Sequence, residues 1–120
     1  MKISIRSGEA VKELTKIEEI LLLTIWKLGD EAYGYRIRRQ IMGIIKKDFT
    51  YGNLYSALSQ LSKKKYVTKR LGETVAARRG KIRIYYKLSP AGREALKAAL
   101  ETTRALWDGV TRYALETEGR

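Results

Sequence analysis

The chain has no cysteine and no histidine among its 120 residues, and only one proline. These absences exclude disulfides, Cys/His zinc sites, imidazole base catalysis and the usual Ser/His and Cys/His nucleophile pairs. A glycine-rich phosphate loop of the GxxxxGK[ST] type is also missing, which leaves carboxylates and lysines without a nucleotide to act on. We therefore expect neither an enzyme nor a bound cofactor or metal.

Acidic residues are scarce as well, with 13 Asp and Glu against 25 Lys and Arg, a formal charge of +12. Such a balance indicates a polyanionic partner, either nucleic acid or an anionic membrane surface. The longest apolar run, residues 17–28, is too short to span a bilayer and contains charged residues. The first residues do not resemble a signal peptide. We expect a cytoplasmic protein with no membrane partner.

Residues 1–14 form a preamble, in which a short helix is predicted from Ser7 to Leu14. Thr15 and Glu18 then form a capping box, and a helix is predicted from there to Leu28, with Gly29 as its C-terminal cap. Its apolar residues lie on nearly every side of the helix. A helix of this kind is central, and one side of it is available to a partner.

A second helix is predicted from Glu31 to Ile45, and Gly34 near its start suggests close approach to another element or to the backbone of a ligand. A third helix, residues 50–64, has Thr50 as its N-cap. One side of it carries Leu54, Leu58 and Leu61; the other is polar and without acids. Three helices with short connections, the last one polar outside, are typical of a helix-turn-helix domain.

Two strands are predicted at residues 66–71 and 82–88, joined by a loop at 72–81. Residues 63–93 contain eleven basic residues and a single acid, Glu73, which is +10 of the total +12. This hairpin is therefore predicted to be a basic wing. Arg83 alternates with Ile82 and Ile84 and should point away from the core.

Ser89 and Pro90 open a last helix. A seam with spacings of four and three resembles a coiled coil: Leu96, Leu100, Thr103, Trp107, Val110 and Ala114. Leu106 widens the apolar side. We expect a homodimer through these residues; the alternative is a helix that folds back on its own domain.

The expected fold is mainly α with a small β-hairpin: a winged helix-turn-helix domain at residues 15–88 and a long C-terminal helix with a tail at 89–120. The sequence resembles the PadR-type winged-helix transcriptional regulators, particularly the short subgroup with one C-terminal helix. Four stretches carry the resemblance: the apolar first helix, YGYRI at 33–37, GNLYSALSQL at 52–61 and RIYYKLSPAGREAL at 83–96.

This resemblance implies a dimer that binds an operator and usually represses, with the third helix in the major groove and the wing on the backbone. Gly34 and Tyr35 match a Gly-Tyr pair of the family. Three positions depart from its pattern: Asn53 replaces a common Thr, Ser56 a common Pro, and Lys65 a Gly before the first strand. Many relatives sense aromatic small molecules, which makes Trp107 a candidate to line an effector pocket; plain core packing is the alternative.

The candidate residues for double-stranded DNA fall into two groups. Asn53, Ser56 and Gln60 are candidates for base readout, because amide side chains can pair with adenine. Hydroxyls and cations are candidates for phosphate contact: Tyr35, Thr50, Tyr51, Tyr55, Lys63, Lys64, Arg78, Arg79, Lys81 and Arg83. Three hypotheses stay open: a sequence-specific regulator, an architectural protein that coats DNA without reading it, and a ligand-responsive switch.

Overall fold

The computed structural model of the chain describes residues 5–6, 9–10, 13–74 and 82–117. The helices are α1 (Lys16–Leu28), α2 (Gly34–Ile45), α3 (Tyr51–Lys63), α4 (Pro90–Trp107) and α5 (Arg112–Glu116). The strands are β1 (Ile5–Arg6), β2 (Glu9–Ala10), β3 (Val67–Thr74) and β4 (Ile82–Leu88). β3 and β4 form an antiparallel hairpin. This arrangement confirms the predicted fold class of a winged helix-turn-helix followed by a long helix.

Three helices begin at the predicted caps because a hydroxyl satisfies an amide of the first turn. Thr15 Oγ1 accepts from the Glu18 amide at 3.2 Å, and Glu18 Oε1 accepts from the Thr15 amide at 2.9 Å, which completes the capping box. Thr50 and Ser89 cap α3 and α4, and each accepts an amide hydrogen bond at 3.0 Å.

The core lies where α1, α2 and α3 meet the base of the hairpin. Its large, fully buried aliphatic side chains come from all three helices: Leu21, Leu22, Ile25, Ile37, Ile41, Leu54, Leu58 and Leu61. β4 is held against the α1–α2 connection because the Tyr86 amide donates to the Ala32 carbonyl at 2.8 Å and Tyr33 forms a β-bridge with Tyr85. The described helices include none with the length and apolarity that crossing a membrane requires.

The turn from α3 to β3 contains a lysine in the left-handed conformation, Lys65, with φ of 63°. Its amide donates to the Ser62 carbonyl at 3.0 Å, and the Tyr66 amide donates to the Leu61 carbonyl at 2.9 Å. This pair of bonds is the Schellman motif that usually ends with glycine. The departure at Lys65 therefore leaves the turn intact but places a side chain where glycine is favoured.

Two predictions for the N-terminal part of the chain were wrong, a helix from Ser7 to Leu14 and the start of the second helix. Glu9–Ala10 pairs with Ile5–Arg6 in an antiparallel register, so the backbone is extended there and not helical; Ser7, Gly8, Val11 and Lys12 lie outside the described residues. The second helix begins at Gly34 instead of Glu31, because residues 29–31 form a 3₁₀ turn and Tyr33 is extended.

The predicted seam of the last helix was also wrong at its far end. α4 ends at Trp107; Gly109 adopts a φ of 76°, and Thr111 caps the new helix α5. Glycine reaches positive φ without steric cost, which allows the chain to turn there. Val110 and Ala114 consequently do not continue the stripe that Leu96, Leu100 and Trp107 form on α4.

Candidate nucleic-acid interface

The outward side of α3 carries four exposed polar side chains in one stripe, Asn53, Ser56, Gln60 and Lys63. Their spacings of three, four and three residues place them on one face of a helix. The opposite face holds the buried leucines, which fix how the helix is rotated about its axis. This outward side, together with the β3–β4 hairpin, is called the basic surface below.

Two tyrosines of α3 are linked to α2. Tyr51 and Tyr55 are stacked, with ring centroids 6.2 Å apart and an angle of 17° between the rings. The Tyr55 hydroxyl lies so close to Gly34 that any Cβ at that position would overlap it. The close approach predicted at Gly34 is therefore confirmed, and its partner is Tyr55. Burial and the neighbouring Tyr51 raise the pKa of Tyr55, so its hydroxyl stays protonated and able to donate.

The other hydroxyl candidates lie at the start of α2 and α3. Tyr35 is half exposed and accepts a hydrogen bond from Arg39 Nη1 at 3.0 Å. Thr50 is exposed, but its hydroxyl oxygen already accepts from the Asn53 amide, and so it serves first as a helix cap. Both side chains keep a free side toward solvent.

Lys63 and Lys64, which the sequence grouped together, have different surroundings. Lys63 is exposed at the end of the outward stripe. Lys64 Nζ donates to both carboxylate oxygens of Glu18, at 2.9 and 2.7 Å, and its side chain is only 21% exposed. Its ammonium therefore ties the end of α3 to the start of α1, which differs from the phosphate contact expected for it.

Two arginines of the hairpin lie against aromatic rings. The guanidinium of Arg83 lies 4.0 Å from the centroid of the Tyr33 ring, and that of Arg70 lies 4.4 Å from the Tyr85 ring. Tyr33 and Tyr85 themselves meet edge to face at 5.5 Å. Arg83 is on the strand face opposite the buried Tyr86, but the ring contact covers part of it. Arg78, Arg79 and Lys81 lie outside the described residues.

Comparison with known proteins identifies the family. The model of the Transcriptional regulator PadR-like family matches residues 22–98, which is most of the chain. The chain belongs to this family. It is accordingly a PadR-like transcriptional regulator and binds DNA. No curated protein sequence matches it significantly.

Solved structures of PadR-like and related regulators have the same fold. A transcriptional regulator from Clostridium thermocellum is 26% identical, with a TM-score of 0.60 over 80% of this chain and 93% of that chain. A PadR-like transcription factor from Bacteroides fragilis is 24% identical, with a TM-score of 0.63 over 78% and 85%. A PadR family regulator from Clostridium difficile is 22% identical, with a TM-score of 0.61 over 80% and 96%.

A second surface of this PadR-like protein is apolar. A groove between α1, β4 and α4 is lined by Leu23, Trp26, Leu88, Leu96 and Leu100, with Glu19, Arg93 and Lys97 at its edges. Trp26 is 60% exposed and Leu100 is 46% exposed, although both are large apolar side chains. We call these five apolar residues the apolar surface.

The predicted dimer residues are distributed unevenly over this region. Leu96 packs partly on the core, Thr103 and Ala114 are partly buried, and Leu100, Leu106, Trp107 and Val110 are exposed. Leu23 and Trp26 were not among the predicted residues, although the apolar character of α1 on all sides was the signal for them. Trp107 is half exposed at the end of α4; its role in binding an effector stays a prediction.

Proposed function

We propose that this PadR-like protein is a sequence-specific repressor that binds its operator as a homodimer. The observation that carries the proposal is the outward stripe of α3, where Asn53, Ser56 and Gln60 are exposed above a rigidly buried leucine face. Amide side chains can bond bidentately to adenine in the major groove, and the small Ser56 permits close approach of the helix to base edges.

Contacts to phosphate would fix the register of this helix on DNA. The proposed donors are Tyr35, Thr50, Tyr51, Tyr55, Lys63, Arg78, Arg79, Lys81 and Arg83. Most are cations of the region that holds +10 of the net charge, as expected of a surface that releases counterions from DNA. Lys64 is not included, because its ammonium is bound to Glu18.

The apolar surface supports the homodimer. Contiguous exposed Leu and Trp side chains on a small protein usually mark a protein interface. A second copy is the proposed occupant, since α4 contributes only Gly92 to the buried residues and the exposed side of α4 carries Leu100, Leu106 and Trp107. Two α3 helices related by a two-fold axis would then read two half-sites.

Selection of genomic DNA fragments on the purified protein tests this function. We expect an enriched inverted repeat with half-site centres about 10 base pairs apart, two chains per site by sedimentation, and reduced transcription from a promoter that contains the site. Selected fragments without a common sequence would contradict the proposal and favour an architectural protein that coats DNA. If a common DNA sequence is enriched but transcription is unchanged or increased, the result would contradict only the proposal that the protein is a repressor.

A further inference from the structure

Arg38 of α2 bonds to the segment that leads into α3. Its Nε donates to the carbonyl oxygen of Phe49, and its Nη2 lies 3.4 Å from Asp48 Oδ1. Its guanidinium carbon lies 4.5 Å from the centroid of the Tyr51 ring. The Arg38 side chain is only 23% exposed. One side chain of α2 therefore contacts the chain just before α3 and the first residue of α3 at once.

These contacts converge on the part of α3 that carries the first reading residue. Phe49 is buried, Thr50 caps the helix, and Asn53 is two residues beyond Tyr51. Tyr51 also stacks on Tyr55, whose hydroxyl lies against Gly34 at the start of α2. Arg38 is thus one end of a set of contacts that joins two turns of α3 to α2 on the outside of the core.

We propose that Arg38 is a positioning residue for base readout, which holds the first turn of α3 so that Asn53 and Ser56 meet base edges in register. The proposal rests on the function proposed above. Base contacts require side chains held to within about 0.5 Å, and the end of a helix is the part most prone to fray, so contacts beyond the Thr50 cap add to its order. The planar fork of arginine can bond a carbonyl and cover a ring simultaneously, which the single ammonium of lysine cannot reproduce.

Direct contact of Arg38 with phosphate is the competing role. The geometry disfavours it, because the Nε donor is used by Phe49 and three quarters of the side chain is covered. The neighbouring Arg39 is exposed, bonds only to Tyr35 on its own helix among the described contacts, and has no bond to α3. Arg39 therefore provides a matched control with the same residue type on the same helix.

The test compares Arg38→Gln, Arg38→Lys and Arg39→Gln with the wild type on two duplexes, the selected operator and a scrambled duplex of equal length, over a series of salt concentrations. For both Arg38 variants we expect the ratio of operator affinity to scrambled affinity to fall by at least about fivefold, the lower range for loss of one base contact. Affinity for scrambled DNA and its salt slope should stay unchanged. Arg39→Gln should keep the wild-type ratio.

Two results would overturn the inference. A phosphate contact would make Arg38→Gln weaken both duplexes equally and reduce the salt slope by about 1, while Arg38→Lys would bind as the wild type. An unchanged ratio in both Arg38 variants would exclude positioning. Wild-type protein that does not discriminate between the duplexes would instead refute the proposed function itself. Circular dichroism checks folding, and Arg38→Lys carries the test if Arg38→Gln is unfolded.

Discussion

The basic surface and the apolar surface differ in how completely contacts within one chain hold their side chains in place. Under the basic surface, side-chain contacts tie α3 to its neighbours at both ends, through Arg38 at the start and Lys64 at the end. On the apolar surface, Trp26 and Leu100 are about half exposed. The basic surface is therefore held in place by contacts within one chain, whereas the apolar surface leaves large side chains uncovered, as we expect if a second copy completes it.

A charge placed in the apolar surface should have the largest effect. We expect Leu100→Asp to convert the dimer to a monomer, because an unpaired carboxylate would be buried in the interface. Operator affinity should fall by at least about a hundredfold, since two linked half-sites become one. Sedimentation velocity and fluorescence anisotropy measure the two quantities.

Leu71→Asp is the matched control for oligomeric state, because Leu71 is also exposed but lies on the hairpin. It should leave the oligomeric state unchanged. A Leu100→Asp protein that sediments as the wild type does would show that this surface is not the dimer interface.

Removing the bond under the end of α3 should have the next largest effect. Lys64→Met leaves Glu18, which is 4% exposed, without its cation and should lower the free energy of unfolding by about 3 kcal/mol. Lys63→Met, at the adjacent exposed lysine, should change it by less than about 0.5 kcal/mol. Urea denaturation measures both; equal effects of the two substitutions would contradict the structural role of Lys64.

The ion pair of Lys64 and Glu18 also predicts that the free energy of unfolding depends on pH. Burial raises the pKa of Glu18, but the hydrogen bonds from Lys64 and the Thr15 amide and the charge of Lys64 outweigh it, and the net pKa is below the ordinary 4.5. The folded state therefore binds fewer protons than the unfolded state in this range. The stabilisation is present above pH 4.5 and is lost as the pH falls through the folded pKa. In Lys64→Met this loss should be smaller, because the pKa of Glu18 no longer has the two contributions of Lys64 that lower it, as unfolding curves at a series of pH values would show.

The contact between α2 and Tyr55 predicts a smaller effect on the free energy of unfolding. The sign of this effect should differ between two glycines of α2. Gly34→Ala should destabilise the protein by about 1–3 kcal/mol, because the new methyl group displaces the Tyr55 ring. Gly43→Ala, on the same helix with no neighbour near the new methyl group, should stabilise it by about 0.5–1 kcal/mol. Tyr55→Phe combined with Gly34→Ala should recover part of the loss. Destabilisation by both alanines would contradict this account.

The smallest effect is expected at the turn after α3. Lys65→Gly should stabilise the protein by about 0.5–1 kcal/mol, because relief of the left-handed strain exceeds the entropy that glycine loses on folding. Lys65→Gln removes the same charge without relieving the backbone and should have little effect. Thermal unfolding of both variants distinguishes strain from charge.

Local rules predicted the starts of α1, α3 and α4 and the hairpin. Thr15, Thr50 and Ser89 cap helices because the bonds involved lie within three residues of each cap. Gly34 indicated a close approach, yet its partner Tyr55 is 21 positions away and was not identifiable from the pattern. Contacts between residues that are close in the chain can therefore be predicted from the sequence, whereas the identity of a distant contact partner cannot.

Three features of the structure were not foreseen from the sequence, for different reasons. Lys64 was grouped with Lys63 because Glu18 lies 46 residues earlier in the chain. The seam of the last helix was predicted to extend to Ala114 because the spacing continues past Gly109, where the backbone turns. Arg38 was not identified as a contact residue, because only the folded α2–α3 connection brings the Phe49 carbonyl to it.

Sequence-specific reading by the outward stripe of α3 is the central claim. Its most direct test measures the affinities of wild type and of Asn53→Ala for the selected operator and for scrambled DNA at the same salt concentration. We predict that wild type prefers the operator and that Asn53→Ala loses part of this preference while its affinity for scrambled DNA stays the same. Equal affinity of the wild type for both duplexes, or an equal loss on both in the variant, would contradict the account.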